Sequence, residues 1–66
     1  MPYASFVIPV KNGEKFIKST IYSLQQQTIS DIEIIVVDDF SQDRTASIVK
    51  DIAIQDNRVK YFINKG

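Results

Sequence analysis

Two adjacent carboxylates, Asp38 and Asp39, follow directly on Glu33-Ile34-Ile35-Val36-Val37, and Asp43 closes the polar turn after them. Carboxylates placed together accept hydrogen bonds from a ligand's N–H or O–H groups, or hold a divalent cation. A second turn, Val10-Lys11-Asn12-Gly13, follows an earlier apolar run and adds an ammonium group. The chain has no His and no Cys. That excludes an imidazole base, a metal held by imidazole or thiolate, and any disulfide. Eight basic and eight acidic side chains cancel, so the balance points to neither nucleic acid nor an anionic membrane as partner.

The elements that must position these groups follow from periodicity. Four β-branched residues in a row, Ile34 to Val37, read as a strand buried on both faces, from about Ile32 to Val37. In open α/β sheets ligands bind outside the carboxyl ends of the strands, which is where Asp38 and Asp39 emerge. Ser5-Phe6-Val7-Ile8-Pro9 reads as a first strand that stops at Pro9, a residue without an N–H for the ladder. Asn12 is then a cap for a first helix, with Glu14 in its first turn and Ile17, Ile21 and Leu24 as its apolar stripe. This helix should fray near Gln27-Thr28, and Ser30-Asp31 links it to the central strand. Asp43 is preferred over Ser41 as the cap of a second helix with the stripe Ile48, Val49, Ile52 and Ala53, ending at Asp56-Asn57. Arg58 to Ile63 reads as a third strand, its Lys60 suiting an edge, and Asn64-Lys65-Gly66 as a turn.

The expected fold class is therefore α/β: a three-stranded parallel sheet, βαβαβ, in the order 3-2-1. Two crossovers in one direction place both helices on one face. The other face then carries either Ile35 and Val37 or Ile34 and Val36 uncovered. The 66 residues thus read as the first part of a larger Rossmann-like domain. Alone they are expected to form a homo-oligomer through the bare sheet face or the free edge of the first strand. No apolar run approaches the roughly 20 residues of a membrane span. The start, Met1-Pro2-Tyr3-Ala4-Ser5, lacks a signal peptide's basic and apolar regions; the expected location is cytoplasmic.

Three segments together resemble the family 2 glycosyltransferases, inverting enzymes with the A-type nucleotide-diphosphosugar transferase fold. They are Ser5 to Gly13, Ile21 to Thr28 (like the family's "SLLxQT") and Glu33 to Asp43 (like "EIIVVDDGSTD"). The resemblance covers essentially the whole chain, with the segments in order and correctly spaced. It implies that residues 1–66 are the nucleotide-binding portion of an incomplete glycosyltransferase domain. It also implies nucleotide-binding roles for Pro9, Val10 and Lys11 along the base. Asp39 would accept a hydrogen bond from a uracil ring nitrogen, with Asp38 its more structural neighbour. The implied donor is a nucleotide-diphosphate sugar, most simply of uridine. The implied cofactor is Mg or Mn, held in the full-length enzyme by a "DxD" segment downstream, as is the catalytic base. No catalytic or metal-ligating residue is assigned within these residues, and the chain alone is expected to be inactive.

Two positions depart from the family pattern. Lys11 stands where the family often has Tyr or Phe, and Phe40 where it commonly has Gly. Two alternatives stay open at this point. One is an inactive, self-associating α/β fragment. The other is a receiver-like or phosphohydrolase-like site in which paired carboxylates hold magnesium, though such sites put key carboxylates after the first strand, here Pro9-Val10-Lys11.

Overall fold

A computed structural model describes residues 3–27 and 31–64. Its elements are β1 (Ala4–Val10), α1 (Ile17–Gln25), β2 (Ile32–Asp38), α2 (Thr45–Gln55) and β3 (Val59–Ile63). The strands form one sheet in the order β1-β2-β3, parallel throughout. This is the expected βαβαβ arrangement. The expected fraying at Thr28, the link at Ser30 and the turn at Lys65-Gly66 lie outside the described residues.

The two faces of β2 have different surroundings. Ile32, Ile34 and Val36 are buried, and with Val10, Val59, Ile17, Ile21 and Val49 they form the core. Both helices therefore pack on the Ile34–Val36 face, and their apolar stripes meet it. Leu24, Ile48, Ile52 and Ala53 complete the contact at the margin. The opposite face is the one left bare. It presents Val7, Pro9, Ile35, Val37 and Phe62, with Val7 61% and Phe62 57% exposed.

Several boundaries differ from the sequence reading: β1 starts at Ala4, α2 at Thr45 and β3 at Val59, each within one residue of the expected start, and three further differences have a physical cause. β1 runs past Pro9 to Val10. It is an edge strand, where a missing ladder donor is tolerated, and the Val10 side chain enters the core. β2 includes Asp38, because that carboxylate finds protein donors at the strand end. α1 begins only at Ile17, after a turn in which the Gly13 carbonyl accepts from the amides of Phe16 and Ile17. Gly13 is needed there for space. A Cβ on it would lie 2.5 Å from Val10 Cγ2 and 2.6 Å from Phe16 Cζ.

The amino end of the sheet is closed by a polar clip. The Asp56 carboxylate accepts from the Arg58 amide and guanidinium and from Gln25 Nε2, so it joins the end of α1 to the turn between α2 and β3. The Arg58 hydrogen bonds, working against burial and helped by Gln25, lower the Asp56 pKa to about 2. The Arg58 carbonyl in turn accepts the Ile34 amide at 2.8 Å.

A domain of this length has roughly 0.05–0.15 kcal/mol of stability per residue. Ile34→Ala should therefore remove about 2–5 kcal/mol, enough to unfold much of the population. Ile35→Ala, on the bare face, should cost well under half of that. Urea unfolding of both variants checks the assignment of faces, and equal losses would contradict it.

Candidate functional site

Val10, Asp38 and Ile63 stand level at the carboxyl end of the sheet. Two loops leave there side by side, one from β1 to α1 and one from β2 to α2. They are bound to each other by several hydrogen bonds. The Asn12 amide donates to Ser41 Oγ at 2.7 Å, and Asn12 Oδ1 accepts from the Gln42 amide at 2.8 Å. The Gly13 amide donates to Thr45 Oγ1 at 2.9 Å. The Glu14 amide donates to Asp43 Oδ2, while Glu14 Oε1 accepts from the Arg44 amide. Asn12 and Glu14, expected to start α1, instead satisfy donors ahead of α2. Ser, Thr, Asn and Asp side chains favour such backbone bonds, but their partners across a gap of some thirty residues leave no local signal in sequence.

Asp43, expected as the cap of α2, stands one residue before the cap position, which Arg44 occupies without a side-chain cap bond. Asp43 Oδ1 accepts from the Thr45 amide and hydroxyl. Partial burial opposes its charge, but these bonds and that from the Glu14 amide outweigh it and hold its pKa below the usual carboxylate range.

Asp38 and Asp39 have separate fates. Asp38 is fully buried on the helix side of the sheet. Its Oδ1 accepts from the Ser41 amide at 2.9 Å and from the Ser41 hydroxyl. Its Oδ2 accepts from the Tyr61 hydroxyl at 2.6 Å. Burial disfavours the ionised form, but the bonds from Ser41 and Tyr61 prevail, and the carboxyl sits below its ordinary range. Burial, together with the same contact, pushes the Tyr61 phenol up to about 12. Lys50 Nζ lies 5.3 Å from the centre of the Tyr61 ring. Tyr61 was not identifiable as a site residue from sequence, because alternation along β3 marks it only as core-facing.

Asp39 is exposed. Its amide donates to the Val10 carbonyl at 2.8 Å, which ties the two strand ends together. Its carboxylate has no partner among the described residues. The exposed Lys11 ammonium likewise has none. Pro9 is exposed on the bare face. Val10, expected to line a nucleotide base, turns its side chain into the core and has its carbonyl occupied by Asp39. It therefore helps to build the site without presenting a side chain to it. Of the five residues named from sequence, Lys11 and Asp39 remain available to a ligand at the strand ends. Asp38 supports the turn beneath them.

Among the described residues, two that are not glycine take positive φ, Asn12 at 51° and Phe40 at 55°. Asn tolerates this region; a residue such as Phe costs about 1–2 kcal/mol there. Phe40 is held by its flanking amides, Asp39 bound to Val10 and Ser41 bound to Asp38.

The paired carboxylates do not fit a metal. Asp38 has its oxygens engaged by protein donors, and among the described residues no three acidic, His or Cys groups cluster. No helix among them is long and apolar enough to cross a membrane.

Residues 5–66 match the pattern of glycosyl transferase family 2. The chain belongs to this family. It is 42% identical over 65 residues to the GalNAc(5)-diNAcBac-PP-undecaprenol beta-1,3-glucosyltransferase of Campylobacter jejuni, covering 98% of this chain and 21% of that protein. It is 45% identical over 60 residues to the uncharacterized glycosyltransferase EpsJ of Bacillus subtilis, covering 91% and 17%. Against the glycosyltransferase GlyG of Streptococcus pneumoniae the figures are 39% over 64 residues, 94% and 21%. The chain thus spans about a fifth of the length of these family 2 relatives.

The two neighbouring carboxylates should separate in a stability assay. Asp38→Asn removes a charged acceptor from a buried, fully bonded position and should cost about 1–3 kcal/mol. Asp39→Asn should leave the melting temperature unchanged. Thermal unfolding followed by circular dichroism checks both.

Proposed function

We propose that this chain is the nucleotide-binding portion of a glycosyltransferase domain that takes its sugar from a nucleotide diphosphate, most simply of uridine. The observation that carries the reading is the division of labour at the strand ends. Asp38 is consumed by the fold, whereas Asp39 and Lys11 are held at the same edge with their charged groups unused. A carboxylate in that position accepts a hydrogen bond from a ring N–H, and an ammonium nearby suits an anionic group. Membership of family 2 supports the donor class.

In the reaction of such a domain, an acceptor hydroxyl oxygen forms a bond to the anomeric carbon. The bond from that carbon to the nucleotide diphosphate breaks with inversion. The hydroxyl proton passes to a base, and the nucleotide diphosphate departs with the bond electrons. The residues described here take part by binding and orienting the nucleotide; no base and no metal ligand is assigned among them. The magnesium-holding alternative loses its support, because a chelating pair needs the oxygens that Asp38 gives to Ser41 and Tyr61.

Titration with uridine diphosphate, followed by NMR at a temperature where all variants are folded, tests the reading. Asp39→Asn should weaken binding more than tenfold, the worth of a hydrogen bond to a charged group. Asp38→Asn should weaken it less. Equal losses, or a loss at Asp38 alone, would contradict the assignment.

A second reading concerns the bare face. We propose that the isolated chain pairs with a second copy through it, as a two-fold dimer. Exposed Val7 and Phe62 lie beside Ile35 and Val37, and the oppositely charged Glu33 and Lys60 flank this patch. That makes the patch suited to meet itself. Sedimentation equilibrium from micromolar to millimolar concentration should show a dimer that Phe62→Lys disrupts. A monomer throughout would refute it.

A further inference from the structure

Phe40 combines two features that a turn shaped for stability alone would avoid. Its backbone is left-handed at φ 55°, and the residue is 52% exposed, so about half of its surface is left without packing. Asn12, the other left-handed residue, uses its side chain to accept the Gln42 amide. The ring of Phe40 can form no such bond. Yet the Phe40 backbone is fixed on both sides, since the Asp39 amide donates to the Val10 carbonyl and the Ser41 amide to Asp38 Oδ1. Consecutive residues at one sheet edge therefore offer an unengaged carboxylate and an exposed aromatic face. A planar heterocycle with a ring N–H satisfies both, its edge on Asp39 and its face on Phe40.

We infer that Phe40 is the stacking residue for the nucleotide base, and that base affinity and base choice are divided between adjacent positions. The inference rests on the nucleotide reading of this edge and deepens it. Every base has a π-face, so Phe40 should favour bases in general. Asp39 should favour those with a ring N–H to donate, as uracil has and neutral cytosine lacks.

NMR titrations with uridine diphosphate, cytidine diphosphate and ribose 5-phosphate test this on the parent, Phe40→Asn, Phe40→Gly and Phe40→Tyr. Asn and Gly both accept the left-handed backbone, so these variants remove the ring without disturbing the turn, and melting temperatures at or above the parent's should confirm it. Phe40→Asn and Phe40→Gly should weaken both nucleotides by the same factor, about fivefold or more. Phe40→Tyr should bind as the parent does, and ribose 5-phosphate should respond to none of the substitutions. Asp39→Asn should instead change the ratio between the two nucleotides. The uracil H5 and H6 resonances should move upfield in the parent complex and not in Phe40→Asn. Asp39-dependent binding of uridine diphosphate with equal affinity in the parent and Phe40→Asn would overturn the inference and leave the nucleotide reading intact. Absence of binding by either nucleotide would overturn both.

Discussion

A single buried carboxylate holds the carboxyl end of this sheet together. Asp38 ends the central strand on the covered face, where an unpaired charge would be costly. Its oxygens instead receive the Ser41 amide and hydroxyl and the Tyr61 hydroxyl. Those bonds fix the turn after β2 and anchor β3 to it. Ser41 Oγ also accepts the Asn12 amide, so the loop after β1 is held by the same group. The Asp38 backbone carbonyl takes the Asn64 amide and secures the exit of the third strand. Remove that charge and three segments distant in sequence lose their common reference point.

The consequence for chemistry is that the site is rigid where it is hidden and unengaged where it is exposed. The cross-loop bonds of Asn12, Gly13, Glu14, Asp43 and Thr45 use up the polar groups beneath the edge. Toward solvent at the strand ends themselves stand the Lys11 ammonium, the Asp39 carboxylate and the Phe40 ring. At the opposite end the Asp56–Arg58–Gln25 clip performs a purely structural task with similar residue types. Residue type alone therefore does not distinguish a site from a brace; whether the donors and acceptors are already occupied does.

The elements and their order were legible because periodicity reports burial directly. The β-branched run of β2 and the stripes of Ile17, Ile21 and Leu24 and of Val49 and Ile52 could only mean a parallel sheet with helices against it. The family pattern was legible for the same reason, since it is written mostly in those segments. The sequence could not say which face of β2 was covered, because Ile34 and Ile35 are chemically alike. It also misplaced the start of α1. Asn12 and Glu14 look like local capping residues, and only the adjacency of the two loops shows that they serve the neighbour. The burial of the Val10 side chain and the bond from Tyr61 to Asp38 were not legible, because side-chain direction at a strand end depends on register, which sequence does not state.

Gly13 sets a boundary on how this edge can be altered. With Val10 and Phe16 atoms within 2.6 Å of where its Cβ would stand, a side chain there would force its neighbours to shift and disturb the cross-loop bonds beneath the strand ends. Lys11, Asp39 and Phe40, by contrast, project outward from that network without holding it. The architecture thus separates an invariant platform from an exchangeable surface. A combinatorial library at those three outward positions, with position 40 kept to residues that accept a left-handed backbone, would vary the exposed chemistry with little effect on the scaffold's folding.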